Sequence, residues 1–269
     1  EQKWSGTQVF NGEGFETPSD FYRNPKAECI KITTERGVEL TGLPDHGVDV
    51  IGEDGYIVRK DLMHLKDGDD IVVCKGSEVF GRENDLSFLS ISPKKGYGGV
   101  IYPTPTNMTE EFAEFLGIMC ADGTVYKSGF RMCKRHPEVV DRFEFLCNKL
   151  FDVSCKKFHK TLKKNGKDGA YYCEVNSVFL SSYLSQIGGI TPNDKYIPSI
   201  IISTSKKHQC AFLRGVFEDG TVNLKRGVFD HVELSMKSKK MSVQIQTMLL
   251  NMGIISTRSP RGKGDKESF

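Results

Sequence analysis

No run of apolar residues in this chain is long enough to cross a bilayer. The longest, such as Tyr196 to Ile202, fall far short of the roughly 20 residues a spanning helix needs. The start is polar and acidic and lacks the charged, apolar, small-residue order of a secretory signal. No C-x-x-C occurs among the eight cysteines, Cys29, Cys74, Cys120, Cys133, Cys147, Cys155, Cys173 and Cys210. Their scatter favours reduced thiols in an intracellular setting, whether cytoplasm with nucleoid or nucleus, over a disulfide framework or a zinc site. At 269 residues and 38% hydrophobic, the chain can nevertheless bury one core, and better two or three small ones.

The net charge is only +2, but it is unevenly spread. Residues 1–107 carry 12 Lys/Arg against 18 Asp/Glu, while the remainder carries 25 against 17. A balance of −6 ahead of +8 points to a polyanionic partner for the C-terminal part alone. There Lys156, Lys157, Lys160, Lys163, Lys164 and Lys167 cluster, and Lys225, Arg226, Lys237, Lys239, Lys240, Arg258, Arg261 and Lys263 follow near the end.

The first 80 residues have no sustained helical period and read as all-β. Strands are expected at Glu28–Thr34, Val38–Thr41, Val48–Ile51, Tyr56–Val58 and Ile71–Val73, punctuated by the turns Glu35-Arg36-Gly37, Glu53-Asp54-Gly55 and Lys66-Asp67-Gly68-Asp69. Residues 81–107 mix Gly, Pro and Ser, and Pro103-Thr104-Pro105 reads as a stiff linker.

From Thr109 the period changes. Thr109 is a good N-cap, Glu110 and Glu111 suit the first turn, and Phe112, Phe115, Leu116, Met119 and Cys120 recur at helical spacing. Strands to Met132, a helix from about Pro137 to Leu150, strands at Cys155–Leu162 and Ala170–Val175 and a helix Ser177–Gln186 should follow. A second round then begins: helix Ser205–Glu218, strands to Leu234, helix Lys239–Met252, and one more strand near Ile254–Arg258. It lacks at least a strand and a helix that the first round has.

Phe115-Leu-Gly-Ile-Met-Cys-Ala-Asp-Gly-Thr-Val125 returns 97 residues later as Phe212-Leu-Arg-Gly-Val-Phe-Glu-Asp-Gly-Thr-Val222. Each copy reads as an apolar helix that stops on a carboxylate followed by glycine. An acid at a helix C-terminus opposes the dipole, so its presence in both copies asks for a reason. A duplicated helix ending in Asp can bring two carboxylates together on a pseudo-two-fold axis, as a metal-dependent phosphodiesterase requires.

The pair resembles the LAGLIDADG signature of homing endonucleases in its single-chain, two-repeat form. Gly117, Ala121, Asp122 and Gly123 fall where that family has its glycine, small residue, metal-binding acid and terminal glycine. The resemblance implies two motif helices packed through small residues, here Gly117 with Ala121 and Ala211 with Gly215, and two acids jointly holding metal ions. Copy two departs from the pattern, because Gly215 precedes Asp219 by four residues where the family has five. Either that helix end is one residue shorter, or Arg214 stands in the glycine's place; Asp219 is the preferred ligand and Glu218 the alternative. Between the copies, Asn193-Asp-Lys195-Tyr-Ile-Pro198 resembles the Lys-x-Ile-Pro block of intein-borne members, which implies a catalytic Lys195 near the scissile phosphate.

Gly37-Val-Glu-Leu-Thr-Gly-Leu43-Pro-Asp-His46 resembles the Gly-x-x-Leu-x-x-Thr-x-x-His block of inteins, in a Hint-type β-fold, with His46 as the splicing-like histidine. Leu43 stands at the threonine position, no cysteine lies near residue 1, and the closing His-Asn pair is not seen, so splicing by this chain alone is not expected.

The expected fold is α+β. An all-β, partial Hint-like domain (1–80) and a linker (81–107) precede a LAGLIDADG module (108–269), with two αββαββα repeats at about 108–190 and 191–269, the second truncated. The resemblance implies a monomeric, magnesium-dependent endonuclease for double-stranded DNA. Asp122 and Asp219 are its expected metal ligands and Asp122, Asp219 and Lys195 its catalytic residues. Arg131, Lys134, Lys156, Lys157 and Lys237 are its expected DNA-binding residues, read from saddle-shaped sheets lying in the major groove. Two alternatives stand beside it: a LAGLIDADG nucleic-acid binder that no longer cleaves, and a splicing element completed by a separate intein fragment. No membrane partner is expected.

Overall fold

The computed structural model describes residues 8–11, 14–20, 25–89, 91, 100–161, 169–191, 194–262 and 268–269. Lys163, Lys164 and Lys167 of the expected basic turn, together with Asn193 and Lys263, lie outside the described residues. The chain divides into two compact units, one of residues 1–79 and 246–259, the other of 80–245 and 260–269.

The first unit is built from short antiparallel hairpins. β1 (Val9–Phe10) pairs with β2 (Phe15–Glu16), β3 (Ile30–Thr33) with β4 (Glu39–Gly42), and β5 (Gly47–Ile51) with β6 (Ile57–Asp61). The turn between β3 and β4 closes on Gly37, whose N–H donates to Thr34 O at φ +77°, a backbone conformation that glycine adopts without strain. The expected strand at Ile71–Val73 reduces to an isolated bridge from Ile71 to Val50. Val50 and Leu62 are the buried apolar residues among the described part of residues 1–79.

The second unit opens on α1 (Glu110–Ala121), started by Thr109, whose side chain accepts the Phe112 N–H. It continues through β7 (Gly123–Tyr126), β8 (Gly129–Lys134), α2 (Pro137–Phe151), β9 (Lys156–Lys160), β10 (Ala170–Val175) and α3 (Val178–Leu184). That order is αββαββα. The strands form one antiparallel sheet in the order β7-β8-β10-β9. Phe112, Phe115, Phe130, Phe143 and Phe151 are fully buried and meet mostly edge to face, for example Phe115 on Phe130 at 5.8 Å. Each such ring contributes about 1.5–3 kcal/mol on leaving water.

A small hairpin, β11 (Ile190–Thr191) and β12 (Asp194–Lys195), and the one-turn α4 (Ser199–Ile202) lead to α5 (Lys206–Phe217), β13 (Thr221–Lys225), β14 (Val228–Glu233) and α6 (Lys239–Asn251). Among the described residues this second round reads αββα. No strand forms at 254–258; Arg258 instead sends its backbone N–H to Arg36 O and its guanidinium to Glu39 and Gly37 O within the first unit. The segment read as a linker groups with the second unit, where Leu86 and Leu89 are buried and the Glu83 N–H donates to Ser203 O. The first unit, conversely, takes 246–259, so the domain limits drawn from sequence differ at both ends.

α1 and α5 pack backbone to backbone. A Cβ added to Gly117 would lie 2.1 Å from Phe212 O, and one added to Gly215 would lie 2.2 Å from Glu114 O. The two glycines are therefore counterparts across the helix pair, with Gly215 Cα 3.0 Å from that same Gly117 position. Arg214, one residue earlier, turns aside to bind Glu114 at 2.8 Å.

Candidate active site

Both helix ends are shaped to deliver a carboxylate. Asp122 caps α1 with its N–H on Ile118 O, and the chain turns at once into β7. Only glycine permits that exit at 123, since a Cβ there would lie 2.5 Å from Met119 Cα. At the end of α5, Glu218 occupies the cap, and the turn is closed by Asp219 N–H to Val216 O and Gly220 N–H to Phe217 O. The structure brings Asp219, not Glu218, to Asp122.

Between the two acids stands Lys134. Its Nζ donates to Asp219 Oδ1 at 2.6 Å and contacts Asp122 Oδ2, and its side chain is 7% exposed. Asp122 Oδ2 is itself shielded from solvent and has no partner of regular hydrogen-bond geometry, so this ion contact is what serves it. Burial raises the Asp122 carboxyl above the ordinary aspartate value, and the neighbouring Asp219 adds to the rise; Lys134 opposes both. For Lys134 burial acts downward, but the two carboxylates outweigh it and hold the ammonium above its usual value. Lys134 is not on the DNA-facing surface that its sequence suggests. The period-two alternation of β8 puts it elsewhere: Phe130, Met132 and Lys134 share the buried side, with the lysine last in line. That alternation was the available signal.

Lys195, on β12, reaches the same helix end from another side. Its Nζ donates to Met119 O at 2.5 Å and Gly123 O at 2.6 Å, capping carbonyls where α1 stops. Burial lowers its pKa from the usual lysine value, against the pull of Cys120 and Asp122. Asp122, Asp219, Lys134 and Lys195 thus form one group of charges about the ends of α1 and α5.

The remaining expected residues separate by sheet face. Arg131 pairs across to Glu174, which pairs to Lys156, so these three share the face that also carries Tyr126, Tyr172 and Phe158. Arg131 lies over the Tyr126 and Tyr172 rings at 5.9 and 6.0 Å, and Lys160 over Tyr172 at 5.2 Å. Lys157 points to the opposite face, where Asp141 and Glu144 of α2 hold it at 3.0 and 2.6 Å. Lys237 is exposed between β14 and α6. His46 is exposed in the first unit, in the turn where its N–H donates to Leu43 O.

Residues 207–268 match the family model of the LAGLIDADG-like domain. The LAGLIDADG-like match begins inside α5, contains Gly215, Glu218 and Asp219, and so falls on the copy whose spacing departs from the signature. In an alignment of 264 positions that covers 90% of its length, the chain is 24% identical to the ribonucleoside-diphosphate reductase NrdEB (alpha chain) of Bacillus subtilis (strain 168), covering 21% of that protein. In an alignment of 255 positions that covers 91% of its length, it is 24% identical to an A-type ATP synthase polypeptide of Pyrococcus abyssi, covering 23% of that protein. The chain therefore spans about a fifth of the curated relatives it matches. Among the described residues no helix is long and apolar enough to cross a membrane.

Proposed function

We propose that this chain is a site-specific endonuclease of the LAGLIDADG homing type, carried in or derived from an intein, that hydrolyses phosphodiester bonds in both strands of duplex DNA. One observation carries the reading: two helices packed through reciprocal glycines end side by side on Asp122 and Asp219. An acid at a helix C-terminus opposes the dipole, so placing one at the end of both paired helices fits a functional demand better than a helix-stabilising one. The similarity of nearly the whole chain to a fifth or so of two differently named enzymes supports the inserted, intein-like origin, because a segment shared by such proteins behaves as a portable unit.

The donor set fits magnesium, which prefers hard carboxylate oxygens and takes only one or two from protein, leaving the rest to water and phosphate. Asp122 and Asp219 would hold it, and when bound it would activate and orient the attacking water as a Lewis acid. This chain's own residues do the rest. Lys195 offsets the carbonyl charge at the end of α1, on Met119 and on Gly123 of β7, that would otherwise repel a phosphate, and the Arg131–Lys156 sheet face supplies cations for the DNA backbone.

A second reading is favoured by Lys134. Its ammonium already satisfies both acids, as it would in a binder that has given up cleavage. Divalent-dependent cutting of a supercoiled plasmid pool carrying random inserts separates the two. Recovered linear products sharing one sequence support the nuclease. Salt-sensitive binding without any cutting, at any divalent concentration, supports the binder.

A further inference from the structure

The acid pair already contains a cation. Lys134 Nζ lies 2.6 Å from Asp219 Oδ1 and against Asp122 Oδ2, and its side chain is 7% exposed. The strand fixes it there. Phe130 and Met132, on the same side of β8, are fully buried, so the lysine cannot leave the core face without breaking the strand's packing. Its stem also has little solvent to swing into.

The charge balance gives this position a consequence. Asp122 and Asp219 with the one ammonium between them, Lys134, sum to a single negative charge before Lys195 at the α1 end is counted, and the same oxygens that a divalent ion would take are engaged. Among the described residues no group of three or more His, Cys, Asp or Glu is placed to hold a metal ion, so no further side chain compensates. Removing one unit charge a few ångströms from the acids changes the attraction for a divalent ion substantially, even at the effective dielectric of a protein surface.

We propose that Lys134 is the resident counter-cation of the Asp122–Asp219 pair and keeps the divalent-ion affinity of the free protein low by competing for the same carboxylate oxygens. Lys134 is in this sense a positioning and gating residue. The inference rests on the reading of the two acids as a metal site, but it does not require that the chain cut DNA.

The test is a titration of the full chain with Mn²⁺, free of DNA, read by electron paramagnetic resonance. Lys134→Met should bind Mn²⁺ about tenfold or more tightly than wild type, as expected for removal of one nearby positive charge. Lys134→Arg, which keeps the charge, should stay within about threefold of wild type. Adding Asp219→Asn to Lys134→Met should erase the gain. A Met variant no tighter than wild type, or a gain that survives Asp219→Asn, overturns the proposal. Should Lys134→Met not fold alone because its two acids repel, refolding it in Mn²⁺ decides the matter through ligand linkage: recovery supports the proposal and no recovery overturns it. Failure of the nuclease reading looks different. A chain that gains Mn²⁺ in the Met variant yet never cuts loses that reading and keeps this one. A chain that cuts while its wild type binds Mn²⁺ as tightly as the Met variant does the reverse.

Discussion

Gly117 and Gly215 each lie against the other helix's backbone so closely that a methyl group on either would sit 2.1 or 2.2 Å from a carbonyl oxygen. Neither obstacle is a flexible side chain that could move aside. Gly117→Ala or Gly215→Ala should therefore force α1 and α5 apart and destabilise the second unit by about 1–3 kcal/mol or more, despite alanine's better helix propensity. Chemical denaturation followed by far-UV circular dichroism measures this. A variant as stable as wild type would mean the helices are not in this contact.

Glu114 ties the same helix pair together from the side. It is 3% exposed and receives Arg142 at 2.7 and 2.8 Å and Arg214 at 2.8 and 3.2 Å. Burial alone would raise its carboxyl, but the two guanidiniums outweigh burial and hold it below the ordinary glutamate value. A depressed carboxyl contributes stability above its unfolded value of about 4.5 and loses it as pH falls through the lower folded value. Wild type should accordingly lose stability on acidification below pH 4.5 more steeply than Glu114→Gln. At neutral pH Glu114→Gln should cost about 1–3 kcal/mol, the scale of a charged hydrogen bond lost from a buried acceptor. Denaturation midpoints of both proteins across acidic pH provide the comparison.

Features that local chemistry fixes are legible in the sequence, and those fixed by long-range packing are not. The helices could be placed within a residue or two because local chemistry marks their ends: Thr109, Pro137 and Ser177 all sit where a helix starts. Short pieces such as β11, β12 and α4 have too few residues to show a period. Residues 254–258 open on Ile254-Ile255 and so suggest a strand, yet the Ile254 N–H turns back to Leu249 O and the Arg258 N–H goes to Arg36 O, a long-range contact invisible in sequence. The offset of Gly215 against Asp219 left the second acid open, and only the packing of Gly215 across Gly117 sets the register of the two helices. Lys134 and Lys157 looked like surface cations by composition. Their strand parity turns each toward acids instead, Lys134 to the helix ends and Lys157 to α2.

The sheet faces make unequal predictions for the basic residues. Among the described residues Arg131 and Lys156 are joined to no carboxylate of a helix, Glu174 of β10 lying between them on their face, whereas Lys157 is held by two carboxylates of α2. Arg131→Ala and Lys156→Ala should each weaken duplex binding and reduce the slope of log affinity against log salt by about one. Lys157→Ala should change neither by a comparable amount. Fluorescence anisotropy with a labelled duplex at several salt concentrations distinguishes them, and a larger effect from Lys157→Ala would put the DNA on the other face.

The acids themselves should divide by geometry and not by sequence order. Asp122→Asn and Asp219→Asn each remove a charge from the pair without adding bulk, so any divalent-dependent cleavage should fall by at least about a hundredfold, the scale of losing a group that stabilises transition-state charge. Duplex affinity should remain near wild type, because an aspartate supplies no cation to the DNA backbone and its loss releases no counterion contact. Glu218 occupies the cap of α5 and is not joined to Lys134, while Asp219 is. Glu218→Gln should therefore leave most of the activity. If Glu218→Gln were the inactive variant and Asp219→Asn cut normally, the second helix would have to end one residue earlier in the working state, and Lys134 would have to bridge a different pair.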